Sequence, residues 1–270
     1  GSDDKGFMVC KDCGAAMPGD DISALNDVNR PYKSKYARSK CRHVNSFNVN
    51  LGYDFITDML VLEFTIDDKI IDARRSDNPW LIRAAQSLAE ALRLVASKKL
   101  DVEFTELVTG YRLRTGTEAS YVDVYLYDSL SSGAGYAVSV ADAIDELLSD
   151  MKELLSSCDC ESACSKCLKH YRNQYVHGIL DRFAALQLLG WGVGGKKASP
   201  IKSETQINMI MPLANILNQL GCEITVDNEI TATGQRRKKR IVIYPAMWVE
   251  PQDINTIFVS DAYIKYAKPY

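Results

Sequence analysis

Between residues 158 and 167 the chain reads Cys158-Asp159-Cys160-Glu161-Ser162-Ala163-Cys164-Ser165-Lys166-Cys167, four thiols within ten residues. Zinc takes four soft ligands in a tetrahedron, and four-thiolate sites are commonly assembled from closely spaced pairs. Cys158 and Cys160 end one helical stretch and Cys164 and Cys167 open the next, so a single ion would pin the two together. Cys158 and Cys160 stand too close for comfortable disulfide geometry with each other. The expectation is Zn2+ on Cys158, Cys160, Cys164 and Cys167, with an iron–sulfur cluster as the alternative that spacing does not exclude.

Upstream of the cluster, Val140, Ile144, Leu147, Leu148, Met151, Leu154 and Leu155 recur at helical spacing and predict one long amphipathic helix. Its other face carries Asp142, Asp145, Glu146, Asp150 and Glu153 and repels phosphate. A glycine turn, Gly133-Ala134-Gly135, precedes this helix and follows the stretch Tyr121–Tyr127. There Tyr121, Asp123, Tyr125 and Tyr127 alternate with Val122, Val124 and Leu126, the period-two pattern of a strand with one apolar face. Further strands are expected at 47–51, 59–66, 101–104 and 111–113. Leu81, Ala85, Leu88, Leu92 and Val95 predict a helix with Pro79 near its start. Downstream, 168–176 and 179–189 read as helical. Then come a Gly- and Lys-rich linker, a helix beginning near Pro212, and strands at 223–226, 241–244 and 257–259.

The predicted fold is therefore a mixed α/β core with a four-cysteine zinc-binding helical module, an N-terminal zinc knuckle and a small C-terminal α/β extension. The domain boundaries expected are 1–45, 46–190, a linker at 191–203, and 204–270. The opening Gly1-Ser2-Asp3-Asp4 lacks an initiator methionine and is expected to begin an internal fragment.

Composition is that of an ordinary globular chain, with 46% hydrophobic and 25% charged residues. The formal net charge of -3 excludes a protein that coats nucleic acid by bulk electrostatics, so any phosphate contact must be local. No apolar run reaches the roughly 20 residues of a membrane span. Seven of the eight cysteines fall into two groups, which with no export signal implies metal ligation in a reducing, cytoplasmic compartment.

The first group is Cys10-x2-Cys13-Gly14, a knuckle with glycine where the backbone bends. Cys41 and His43 would complete a second Zn2+ site of three thiolates and one imidazole. Cys222 stands apart and is expected to be a small buried residue of a strand.

Around Cys167 lie Lys166, Lys169, His170, Arg172, Asn173, His177 and Arg182, residue types that contact a DNA backbone, with Tyr171 and Tyr175 available for stacking. The competing reading has Arg172 and Asn173 bracing the zinc loop through hydrogen bonds. Gly190-x4-Gly195-Lys196 approaches a phosphate-binding loop, but Lys197 stands where Ser or Thr is required, and a flexible linker is the better reading. Gly133-x-Gly135 has free backbone N–H groups that could hold a phosphate, though a structural turn is favoured. Arg236-Arg237-Lys238-Lys239-Arg240 predicts a basic hairpin tip, a phosphate grip or a solvated turn. No catalytic motif is present. Asp58, Glu63, Glu103, Asp123 and Asp128 lie on or beside predicted strands, as in a metal-dependent nuclease, but surface carboxylates are the default.

Taken together, Tyr127-Asp128-Ser129-Leu130-Ser131-Ser132-Gly133-Ala134-Gly135-Tyr136, the amphipathic helix, Cys-x-Cys-x3-Cys-x2-Cys and Leu168-x2-Tyr171-Arg172-Asn173-Gln174-x2-His177-x3-Asp181-Arg182 resemble the MrfA-type zinc-binding (MZB) domain. Leu51-Gly52-Tyr53-x3-Thr57-Asp58-Met59-Leu60 resembles the strand that leads into it. The resemblance covers roughly residues 45–190. It departs at Ser131-Ser132-Gly133-Ala134-Gly135, where the family reads more like Pro-Gly-Gly-x-Gly. It implies zinc on the four central cysteines and service to a DNA-translocating machine, either a superfamily 2 helicase of DNA repair or a bacterial phage-defence system. The expected partners are DNA and a helicase motor domain or subunit. The expected role is non-catalytic; a nuclease and a protein-only scaffold are the alternatives.

Overall fold

Alternation in Phe7-Met8-Val9-Cys10 turns Met8 and Cys10 inward, and these residues form the strand β1, Phe7–Cys10. The computed structural model describes residues 6–28, 32–33, 39–50, 52, 55–73, 78–130, 133–233 and 238–266. It divides into two units, Gly1–Phe55 and Ile56–Tyr270. In the first, β1 pairs antiparallel with β2, Ala16–Pro18, and with β3, Ser46–Val49, on its other side. A 3-10 turn, Ile22–Asp27, is capped by Asp21, whose carboxylate accepts from Ser23 N at 2.6 Å. The sequence shows little periodicity here because strands of three or four residues are too short to display one. β3 pairs with β1, so it belongs to the first unit rather than to the domain expected to begin at residue 46.

The second unit begins with the strand β4, Met59–Ile66, followed by the helix α1, Pro79–Leu100. Asn78 starts α1 by accepting from Trp80 N at 2.9 Å, with Pro79 at the first helical position where no N–H is needed. Asp101 ends it in the left-handed region, at φ 54°, with its N–H returned to Lys98 and Ser97 carbonyls. That cap replaces the strand expected at 101–104. The strands β5, Leu107–Thr115, and β6, Ser120–Asp128, follow, and the sheet order is β4-β6-β5, antiparallel throughout. Val122, Val124 and Leu126 are buried against α1, as the alternation predicts.

The long helix expected before the cysteines is two, α2, Tyr136–Asp142, and α3, Ile144–Ser156, meeting at Ala143. Val140, Leu147, Met151 and Leu155 are fully buried. After the cysteines, 168–176 contains only a 3-10 turn, Tyr171–Val176, and then α4, Arg182–Gly194, packs on α1 and α3. Small buried residues of α1, among them Ala84, Ala85, Ala89 and Ala91, allow the sheet on one side and α3 and α4 on the other to approach closely.

α4 runs four residues into the segment expected to be a linker. The next helix, α5, Ser203–Gln219, starts nine residues before Pro212, which sits inside it. The strands β7, Glu223–Val226, β8, Ile230–Thr233, β9, Lys238–Tyr244, and β10, Thr256–Ser260, form a sheet ordered β10-β9-β8-β7, with β9 and β10 parallel. A short helix, α6, Asp261–Tyr266, closes the chain. Segment 246–249 is stitched to 70–72: Asp72 N donates to Met247 O at 3.2 Å and Val249 N to Ile70 O at 3.1 Å. Cys222 precedes β7 and is exposed, contrary to the buried strand position expected, because a turn at Gly221 lifts it clear of the sheet. The tip between β8 and β9, including Arg236 and Arg237, lies outside the described residues, as do Leu51, Tyr53, Ser131 and Ser132.

Candidate metal centres

Both cysteine groups converge. Cys10, Cys13, Cys41 and His43 form one set and Cys158, Cys160, Cys164 and Cys167 the other, with the donor atoms of each set within 4.8 Å of one another. Four sulfurs at about 2.3 Å from a tetrahedral zinc lie about 3.8 Å apart, and a sulfur and an imidazole nitrogen about 3.6 Å apart. In the central set, Cys158 and Cys164 Sγ are 3.5 Å apart, Cys160 and Cys167 3.7 Å, and Cys164 and Cys167 3.9 Å. In the first set, Cys10 and Cys41 Sγ are 3.7 Å apart, and Cys13 Sγ is 3.4 Å from His43 Nδ1. These are the edges of a zinc tetrahedron, and both donor sets suit the ion.

Local backbone explains the convergence. Gly14, at φ 76°, closes the Cys10–Cys13 turn with its N–H on Cys10 O at 2.9 Å. His43 is held in the left-handed region at φ 56°, which turns its ring toward Cys13 while its N–H donates to Cys41 Sγ at 3.4 Å. In the central loop, Cys164 N donates to Cys167 Sγ at 3.2 Å and Lys166 N to Cys164 Sγ at 3.4 Å, the arrangement that stabilises thiolates.

Without an ion the thiols divide. Burial raises Cys10, but hydrogen bonds with His43 and with the backbone of Asp12 and Cys13 outweigh it and lower the pKa to about 6. Burial, first among several causes, lifts Cys13 to about 11. The Lys166 N–H, then Cys158, lower Cys164 to about 7, whereas burial pushes Cys167 up to about 12 and raises Cys160. A divalent cation supplies the charge that allows all four donors of each set to bind deprotonated.

Arg182 and Asn173, expected among the DNA contacts, are buried and serve the loop instead. Arg182 donates through Nε and Nη2 to Cys160 O, at 3.1 and 2.9 Å, and through Nη1 to Leu155 O at 3.0 Å. Asn173 donates to Leu168 O at 2.8 Å and to Glu90 at 3.1 Å, and accepts from His170 N at 2.9 Å. His177 Nε2 completes this network, 2.8 Å from Asn173 Oδ1 and 3.1 Å from His170 O, and His170 Nε2 lies 3.3 Å from Glu90. Of the two residues weighed for bracing, Asn173 performs it and Arg172 does not. Lys166 and Arg172 are exposed and Lys169 is half-buried. Glu90 is the functional residue that sequence reasoning missed; its signal was a glutamate between Ala89 and Ala91 on the buried helix α1.

The remaining candidates resolve into structure. Asp128 accepts from Ala134, Tyr136 and Ala137 N at 2.5, 3.1 and 3.0 Å, so a carboxylate of the chain already fills the glycine turn where a phosphate was considered. Asp123 accepts from Arg112 and Arg114, and Arg114 also reaches Glu63 at 2.5 Å. Glu103 lies on the turn after α1, and Asp58 just before β4. Gly190 and Gly194 belong to α4, and Gly195 is its C-cap at φ 61°, so no phosphate cradle forms there. Among the described residues, the groups of His, Cys, Asp and Glu able to hold a metal are the two cysteine sets.

Residues 88–168 match the sequence profile of the MrfA Zn-binding domain, MZB. The chain carries an MZB domain. Its matched span includes Glu90 and all four central cysteines, while Asn173 and Arg182 brace it from beyond. MZB is a zinc-binding domain, so zinc is the cofactor of this region, and the Cys10 set, outside the matched span, can hold a second ion. Druantia protein DruE of Escherichia coli (strain UMEA 4076-1) is 34% identical over 270 residues, covering 94% of this chain and 15% of that protein. Two solved structures of the DUF1998 helicase MrfA, bound to DNA and bound to DNA and AMPPNP, are 17% and 16% identical. Each covers 59% of this chain, and the chain covers 20% and 18% of them, with TM-scores of 0.41 and 0.38. Outside the MZB domain, no helix among the described residues is long and apolar enough to cross a membrane, and none is within it.

Proposed function

We propose that this chain is a zinc-ordered, non-catalytic region of a DNA helicase or an anti-phage defence protein, and that it positions DNA for the motor. One observation carries the reading. The hydrogen-bond network of Glu90, His170, Asn173 and His177 joins the zinc loop, which bears exposed Lys166, through Leu168 O to an outward turn bearing exposed Arg172. The ion thereby fixes the position of a cationic surface, while the acidic face of α3 repels phosphate from the neighbouring helix. The MZB domain and the likeness to a Druantia protein support this assignment, and the free thiols suit the cytoplasm. A nuclease is less well supported, because Asp123, Glu63 and Asp128 are committed to arginines and a helix cap.

Affinity for labelled DNA, measured against salt, tests the reading. Log affinity should fall linearly with log salt, and Lys166→Ala should reduce the slope by about 0.7 for a single strand. Incubation with Mg2+ or Mn2+ should leave the DNA uncut. Absence of binding at low salt would remove DNA as the ligand and leave docking of a protein partner.

A further inference from the structure

Tyr171 and Tyr175 stand on the 3-10 turn 85% and 81% exposed, among the most exposed large side chains of the protein. Large rings are rarely left this open, and nothing in their own packing uses them. The turn that presents them is rigidly held. His170 caps it by accepting from Arg172 N at 3.2 Å, Asn173 and Val176 point into the core, and the four-residue polar network around Glu90 ties it to α1. Two arginines lie near the rings. Arg172 is exposed between them, and Arg93 lies within electrostatic range of both Tyr175 and Arg172. The Arg93 guanidinium stacks 3.9 Å from the Phe104 ring centroid and donates to Phe104 O, so it is fixed in place. Glu90 is 3% exposed and engaged with His170 and Asn173, so its carboxylate is turned away from the rings.

We infer that Tyr171 and Tyr175 form a stacking platform for the unpaired bases of a single-stranded nucleic acid, with Arg172 and Arg93 on its phosphates. The faces of paired bases are stacked inside a duplex and offer nothing to an exposed ring, whereas every unpaired base has a free face. The platform thus selects strand form and not sequence. This rests on the DNA-positioning reading above and deepens it by naming the strand form and the residues that sense it.

The full chain, zinc-loaded, is titrated into labelled oligothymidylate and into a blunt duplex. Tyr171→Ala and Tyr175→Ala should each weaken the single strand about 5- to 150-fold without changing the salt slope, and the Phe variants should bind as wild type. Arg172→Ala should instead lower the slope by about 0.7. Zinc content and far-UV circular dichroism of each variant report that the turn is intact. If the double alanine variant binds single strands as wild type while Lys166→Ala still lowers the slope, the platform is overturned and the DNA reading stands. A duplex affinity that drops with the tyrosines also overturns the platform. If the wild-type chain binds no nucleic acid at low salt, both fall.

Discussion

Arg182 shows how far a single residue can be misread from type alone. Arginine in a basic stretch suggests phosphate, yet its guanidinium is 5% exposed and spans Cys160 O and Leu155 O. Removing it leaves those carbonyls without their charged donor, so Arg182→Ala should cost roughly 2–4 kcal/mol in a denaturant titration. It should not alter the salt slope of DNA binding in the fraction that remains folded. Cys160→Ser acts on the same loop from the metal side: bound zinc, measured by elemental analysis, should fall by one ion per chain, with loss of order confined to the loop and its turn. A variant retaining its full zinc would sink the central assignment. The cysteine sets were legible in the sequence because ligand chemistry prescribes residue type and short spacing together. Asn173 was weighed as a brace from its place beside the loop, but its partners Glu90 and His177 were not, because a hydrogen-bond network closes through space: Glu90 and Asn173 are separated by 83 positions.

Two of the three glycines of helix α4 have opposite surroundings. A Cβ on Gly192 would stand 2.2 Å from the Phe64 ring, so Gly192→Ala should overpack the contact between α4 and β4 and cost about 1–3 kcal/mol. At Gly190 the nearest atom is Lys196 Cβ at 3.9 Å, and Gly190→Ala should stabilise by up to about 1 kcal/mol by raising helix propensity. Midpoints of urea unfolding moving in opposite directions would bear this out, and equal shifts would refute it. The outer face of β6 has its own signature in pH. Hydrogen bonds from Arg114, then Arg112, hold the Asp123 carboxyl below its ordinary value of 3.8. A carboxyl depressed in the folded state contributes stability above its unfolded pKa and loses it as pH falls through the folded one. Stability of the wild type should therefore decline more steeply on acidification below about pH 4 than that of Asp123→Asn. Elements with a clean period, β4, β6 and the stripe of α2 and α3, were legible from sequence. The helix end that replaces the strand expected at 101–104 was not, since the cap at Asp101 is a matter of φ and not of residue pattern, and Pro212 concealed a helix that continues through it.

At the scale of the molecule, the two units depend on zinc to different degrees. The first has a buried core of Met8, Cys10, Ala15, Leu25 and Cys41, so two of its five core residues belong to the set that can hold an ion. So small a core cannot offset the conformational entropy of ordering its chain, and the metal must supply much of the difference. The second unit closes around α1 with a continuous core from Phe64 to Ala262, to which Cys167 contributes one residue among many. Chelation should therefore unfold the first unit outright while leaving the sheets and helices of the second in place, apart from the loop 158–167 and the turn it supports. Hydrogen exchange read by mass spectrometry separates the two. Peptides from 6–28 and 39–50 should lose protection throughout, those from α1 and β6 should keep it, and 158–176 should exchange faster. Uniform loss of protection would mean that the central ion organises the whole second unit. Retained protection in 6–28 would mean that the first cysteine set holds its fold without metal.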